Sequence, residues 1–332
     1  MTTVSAGSIA AKQSARRPRL SRVLALASVV AAICAAPLPA HAGLIFTTTF
    51  DGTVSGAAQA AILSGLSEYS TLFSDNVNVS LSFTNTGSGL AQTSSYSLGI
   101  GYQQYYNALV ADSTSAADAT ALARLALDGA GANNPVNGTG FIAQGRAGLR
   151  SVGLDFDALF FAVPGYVDGA IAMNLALMNF DRITIDPNKY DLKSVLQHEV
   201  DEVLGSISNV GESDPRPVDL FRYDASGNRS FTTNPNAASY FSIDGTTLLA
   251  RYNQLSGPDY GDFYSCGVST PAPQVQDACG TPGATANLGV ELTLLDVIGW
   301  NRITSQTVPE PGSLVLVLTA GLLGFGASRR KG

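Results

Sequence analysis

The sequence predicts an α+β fold for residues 43–306. Short strand-like and helix-like stretches follow one another without a repeating strand–helix–strand rhythm, and no internal repeat of 20–50 residues organises them. Apolar residues make up 45% of the 332-residue chain, enough for a packed core, so wholesale disorder is excluded. No glycine-rich phosphate loop follows a strand, and no Gly-x-Ser-x-Gly elbow occurs, which removes nucleotide-binding and serine-hydrolase readings.

Taken in order, the thr-rich apolar stretch Gly43–Phe50 reads as a strand, and Ala57–Tyr69 spaces its apolar residues as a helix does. Val77, Val79, Leu81 and Phe83 alternate, the mark of a half-buried strand. Tyr102–Val110 and Ala116–Leu127 read as helices, and Gly129–Gly140 as a loop by composition. Ala158–Val163 reads as a strand, and Ile171, Met173, Leu175 and Leu177 alternate again. Tyr240–Ile243 is a short strand, Pro258–Thr285 is turn-rich, and Leu292–Gly299 is a short helix before Trp300.

Both ends read as addresses. Residues 1–42 form a secretory signal: Arg16–Arg22 is basic, Val23–Ala36 is apolar, and Ala40-His41-Ala42 is a small-x-small cleavage site that leaves Gly43 as the first mature residue. At residues 307–332 the order is Pro309-Glu310-Pro311, a short apolar transmembrane helix over Leu314–Ala327, and a basic tail with Arg329 and Arg330. This order resembles the PEP-CTERM sorting signal of Gram-negative bacteria. The resemblance implies transient contact with the inner membrane, a sorting enzyme acting at the tripeptide, and delivery to the cell envelope, outer surface or extracellular matrix.

Export suits the composition. Five of the 19 basic residues lie in residues 1–42 and three in the last four, whereas all 26 acids lie between. So acidic a body is a poor partner for nucleic acid and offers many oxygen ligands to cations. Once the signal is removed, Cys266 and Cys279 remain, an even pair in an oxidising compartment, and a disulfide is expected.

The informative segment surrounds His198, the only histidine after Gly43. Asp191–Gly205 reads as a helix, with Asp191 as its N-cap, Leu192, Val195, Leu196 and Val203 as its apolar stripe, and Gly205 as its stop. His198 and Glu202 are then i, i+4 neighbours able to share one metal ion, and Glu199 lies one step round, where a general base would act on water. Glu199, Asp201 and Glu202 also crowd the last two turns, against the helix dipole. A bound dication would offset that conflict.

The HEVDEVLG segment resembles the zincin HExxH helix. With Asp219-Leu220-Phe221-Arg222-Tyr223, Tyr240–Gly245 and Leu294–Trp300, it is similar to a family of PEP-CTERM-sorted bacterial zinc metalloproteases. The resemblance implies a zincin-like twisted mixed sheet above an active-site helix, with Ala170–Asn179 as the edge strand beside the cleft. It implies His198 and Glu202 as metal ligands, Glu199 as catalytic base, Tyr223 as a group polarising the substrate carbonyl, and Asp219 as third ligand. Asp214, Asp244, Asp259 and Asp262 are the other acids available for that place.

Two departures from the pattern matter: Glu202 stands where metzincins have His, and Ser208 where they have their third His. The expectation is an exported peptidase acting on protein or peptide substrates through a metal-activated water. Zn²⁺ is the expected ion, with Ca²⁺ or Mn²⁺ as harder-ligand alternatives. The rival readings are a non-catalytic surface or matrix protein keeping a degenerate zincin scaffold, and a calcium-stabilised adhesive module.

Overall fold

In the computed structural model of the protein, residues 43–268 and 272–303 are described. The expected secretory and sorting segments lie outside them. Strand β1 (Ile45–Phe50) leads into helix α1 (Gly56–Leu72), and β2 (Asn78–Asn85), β3 (Ala91–Ser94) and β4 (Ser97–Gly101) follow. Ser55 caps α1 by accepting from the Ala58 N–H at 3.3 Å. Helices α2 (Tyr102–Asp112) and α3 (Ala116–Leu127) come next, the second started by a Ser115/Asp118 capping box. The chain continues through β5 (Phe141–Gly145), α4 (Arg146–Ser151), α5 (Asp157–Phe160) and β6 (Gly169–Met173). It ends with the two-residue strands β7 (Met178–Asn179) and β8 (Tyr190–Asp191), helix α6 (Leu192–Leu204), the small sheet of β9 (Arg222–Tyr223), β10 (Tyr240–Phe241) and β11 (Ala250–Arg251), and helix α7 (Val290–Val297).

The architecture is mixed α+β. The main sheet has the order β1-β2-β6-β3, with the first three strands parallel and β3 antiparallel on the edge. Its inward residues Val79, Leu81, Phe83, Ile171 and Met173 are almost fully buried. The expected alternation along β2 therefore becomes one core face.

Helix α6 runs through the interior rather than over the surface. Leu192, Leu196, Val200, Val203 and Leu204 join the core. Its approach to α1 is close enough that a Cβ at Gly65 would sit 2.7 Å from Leu196 Cδ2. A side chain there would force the Leu196 side chain to move. At its far end, the buried Trp300 donates Nε1–H to the Leu204 carbonyl at 2.9 Å and meets Phe73 edge-on at 6.2 Å.

Four expectations change. The apolar segment Ala158–Val163 is not a strand. Its start is the short helix α5, where Asp157 accepts from Arg146 Nε and Arg150 at 2.8 Å each, and turn hydrogen bonds replace a ladder through Val163. Strand β6 stops at Met173, and Leu175–Leu177 is a 3₁₀ turn whose Leu175 N–H donates to Asn85 Oδ1. Segment Ala170–Asn179 therefore does not supply the sheet edge: β6 is interior, and β3 holds the edge. Lastly, the expectation of a transmembrane helix is withdrawn. No helix among the described residues is long and apolar enough to cross a membrane, and segment 314–327 lies outside them.

A pH response arises where the end of the described chain returns to α1. The Asn301 backbone N–H donates to Asp75 Oδ2 at 2.8 Å, and its side-chain amide donates to Asp75 and Asp112. Burial raises both carboxyls from 3.8 to about 6, with mutual proximity adding to the rise at Asp75. Between these values the folded state binds protons that the unfolded state has released. The stability these groups contribute is thus complete below about pH 4 and is lost as pH rises through 6. Urea titrations should show stability falling over that window, with Asp75→Asn removing about 2 kcal/mol of the fall. An unchanged slope in the variant would show that Asp75 titrates normally.

Candidate metal centre

The site is built from α6 and from a turn some sixty residues further on. Asp191 caps the helix by accepting from the Ser194 N–H at 2.9 Å, and Gly205 ends it at φ +127°, a conformation that disfavours a side chain. Between them His198 and Glu202 stand one turn apart. Asp262 approaches from the segment whose neighbour Phe263 bridges to Tyr252 and Asp277.

His198 Nε2 lies 3.7 Å from Glu202 Oε1 and 3.6 Å from Asp262 Oδ1. One donor atom from each residue falls within 4.8 Å of the others. These separations are too long for hydrogen bonds, whose mode is about 2.9 Å. The 3.6 and 3.7 Å separations come near the roughly 3.4 Å at which donors about 2.0–2.2 Å from one ion stand on a tetrahedron, so a small inward shift would let the three share an ion. The other ring nitrogen is engaged: His198 Nδ1 is 3.0 Å from the Val275 carbonyl. A proton on Nδ1 donated to that carbonyl leaves the Nε2 lone pair facing the two carboxylates, the tautomer a metal requires.

Electrostatics leads to the same place. Burial opposes charge on His198, but Asp262, Glu202 and Glu199 outweigh it and raise the imidazole to about 9. Burial raises Asp262 to about 7 despite His198 and holds Glu202 well above its ordinary range. Without a metal, a proton on His198 is the cation that these carboxylates share. A dication would take over that role with more charge, so metal binding displaces the proton.

Glu199 is buried and faces a different group. Its Oε2 accepts from Thr93 Oγ1 at 2.7 Å, on the edge strand β3. Burial raises its carboxyl, while His198 and Thr93 work against the rise. It borders, with His198, a cavity of about 160 Å³ between β3, α6 and the 273–286 segment. Asp201 faces the opposite way. It is fully buried and lies 2.7 Å from the Tyr69 hydroxyl, and burial holds it well above the carboxylate range.

The remaining sequence candidates fall elsewhere. Asp219 is not beside His198: it accepts from Ser208 Oγ at 2.5 Å, Asn209 N–H at 3.0 Å and Arg216 N–H at 2.8 Å, which ties down the 3₁₀ turn Pro217–Phe221. Asp262 is the acid that lies near His198 and Glu202. Asp259 accepts from Ser208 N–H, and Asp244 closes its own turn with Thr246 and Thr247. The Tyr223 hydroxyl donates to Asp128 Oδ2 at 2.9 Å, and its ring lies between Arg124 and Arg229, so it is committed to packing away from His198. Cys266 and Cys279 form a disulfide with Cα atoms 5.0 Å apart. It brackets Val275, Gln276 and Asp277. Sequence patterns gave no sign of Thr93 or Val275, because each acts through a single contact brought in by the tertiary fold.

Residues 307–331 match the PEP-CTERM protein-sorting motif. This stretch contains Pro309, Glu310, Pro311, Arg329 and Arg330. The protein therefore carries a bacterial sorting domain, and is exported to and retained at the cell surface or envelope. No curated protein and no solved structure matches the chain.

Proposed function

We propose that residues 43–306 form a surface-displayed metal-binding domain in which His198, Glu202 and Asp262 hold one divalent ion and Glu199 equips the site for peptide hydrolysis. The observation that carries this reading is the spacing of three donors, 3.6–3.7 Å about His198 Nε2, with Nδ1 engaged by Val275. One nitrogen and two carboxylate oxygens suit Zn²⁺ and also admit Mn²⁺, whereas Ca²⁺ ordinarily takes oxygen ligands alone. When bound, the ion supplies Lewis acidity to a substrate carbonyl and acidifies water.

The chain's own residues do the rest. Glu199 takes the proton from the attacking water, and burial brings its carboxyl toward the working pH. Thr93 fixes its orientation through a 2.7 Å hydrogen bond. Among the described residues β3 stands at the edge of its sheet, the position at which an extended peptide would pair. Retention at the surface gives such an enzyme access to external polypeptides.

A second reading is a non-catalytic surface or matrix protein that keeps the metal for stability. A carboxylate at position 202, where metzincins have His, favours it. Metal analysis of the purified chain together with casein digestion separates the two. One tightly held Zn²⁺, with digestion that a chelator stops and added zinc restores, supports the peptidase. Zinc retained without digestion supports the scaffold, and a folded chain that takes up no metal overturns both.

A further inference from the structure

The cavity beside His198 and Glu199 has an uneven chemistry. Leu90, Val195, Ala284 and Ala286 give it apolar walls. Three carboxylates border it, and they are not equivalent. Asp191 is saturated by Arg182, with contacts of 2.5–3.1 Å, and by Ser194. Glu199 is held by Thr93. Asp277 is different: Oδ2 accepts from the Gln274 N–H at 3.0 Å, while Oδ1 is buried with no hydrogen-bond partner among the described residues.

Asp277 is 7% exposed, and among the described residues no Lys or Arg lines the cavity. A buried carboxylate oxygen without a donor has lost its hydration and gained nothing in exchange. Burial accordingly raises the Asp277 carboxyl, against the Gln274 N–H and His198. The missing partner is a donor, best a cationic one, delivered on an apolar stem that the walls can cover. The acidic body draws such groups in from solution.

We propose that this cavity is a subsite for a lysine or arginine side chain of the bound polypeptide, with Asp277 pairing its ammonium or guanidinium group. The aliphatic stem lies along Leu90 and Val195, and the charged end reaches Asp277. The inference rests on the peptidase reading for its consequence, a preference for bonds beside basic residues. Its binding step does not depend on catalysis.

The test titrates n-butylammonium, n-butylguanidinium and the neutral 1-pentanol onto the zinc-loaded full chain, by calorimetry or chemical-shift change. The cations should bind at least tenfold more tightly than the alcohol, and Asp277→Asn should erase that preference with zinc content unchanged. Ala284→Lys, which places an ammonium group of the chain itself in the cavity, should also abolish cation binding, and serves if Asp277→Asn does not fold. Equal affinity for cation and alcohol, or a preference surviving both variants, overturns the subsite. Casein fragments should show Lys and Arg enriched next to the cleaved bonds. Cleavage without that enrichment overturns the specificity and leaves the peptidase standing. Cation binding without any cleavage overturns the peptidase and leaves the subsite standing.

Discussion

Asp262→Ala should abolish tight binding of one zinc equivalent and leave the chain folded. Asp262 Oδ1 is one of the two carboxylate oxygens near His198 Nε2, at 3.6 Å, and its remaining side-chain contact is a long one of 3.4 Å from the Gln276 amide. Loss of a group that merely supports a ligand costs metal sites about 10–100-fold in affinity, and loss of a ligand should exceed that. Competition with a chromophoric chelator reads the change directly. Asp219→Ala is the informative contrast. It removes the acceptor of three hydrogen bonds in the 208–219 region, so it should lower thermal stability while zinc affinity holds. The opposite pattern, with zinc lost in the Asp219 variant and kept in the Asp262 variant, would return Asp219 to the ligand role that the DLFRY resemblance implied.

Glu199→Gln should reduce casein digestion by about 10²–10⁴-fold, the usual contribution of a positioned general base. The amide keeps the length of the side chain, and its oxygen can still accept from Thr93, so the helix and the His198, Glu202 and Asp262 side chains should be undisturbed. Zinc stoichiometry and thermal midpoint should therefore match those of the parent. This combination separates a base from a structural carboxylate. Retention of more than a tenth of the activity would remove Glu199 from the chemistry, and a simultaneous loss of zinc would instead make it a ligand.

The sequence was legible where a local rule decides the outcome. Helix α6 shows its cap at Asp191, its stop at Gly205 and its apolar stripe, so the His198–Glu202 pair could be placed one turn apart before any fold was known. Strand β2 and helix α1 were visible through their periodicity and strand β1 through its Thr-rich apolar composition, and helices α2 and α3 also stood where the sequence suggests them. What stayed hidden was decided by long-range contacts. Asp262 and Asp219 are both acids in turn-rich surroundings, and only the tertiary fold shows that backbone and hydroxyl donors satisfy Asp219 while Asp262 faces His198. Strand β3 is four residues long, with Gln, Thr and Ser in it, and carries almost no pattern of its own. It is a strand because β6 accepts it as a neighbour. Segment Ala158–Val163 failed in the other direction: its apolar run suggested a ladder, but Asp157 is held by Arg146 and Arg150 and turns the chain instead.

The Cys266–Cys279 bridge has a consequence for where the domain can mature. It spans Val275, whose carbonyl orients the His198 ring, and Gln276, whose amide reaches Asp262. In the reducing cytoplasm this bridge does not persist. The segment between the two cysteines therefore gains its full rigidity only after the polypeptide has crossed into an oxidising space. A chain still awaiting export would hold Val275 and Gln276, and with them the His198 ring and Asp262, in a looser arrangement than the exported protein does.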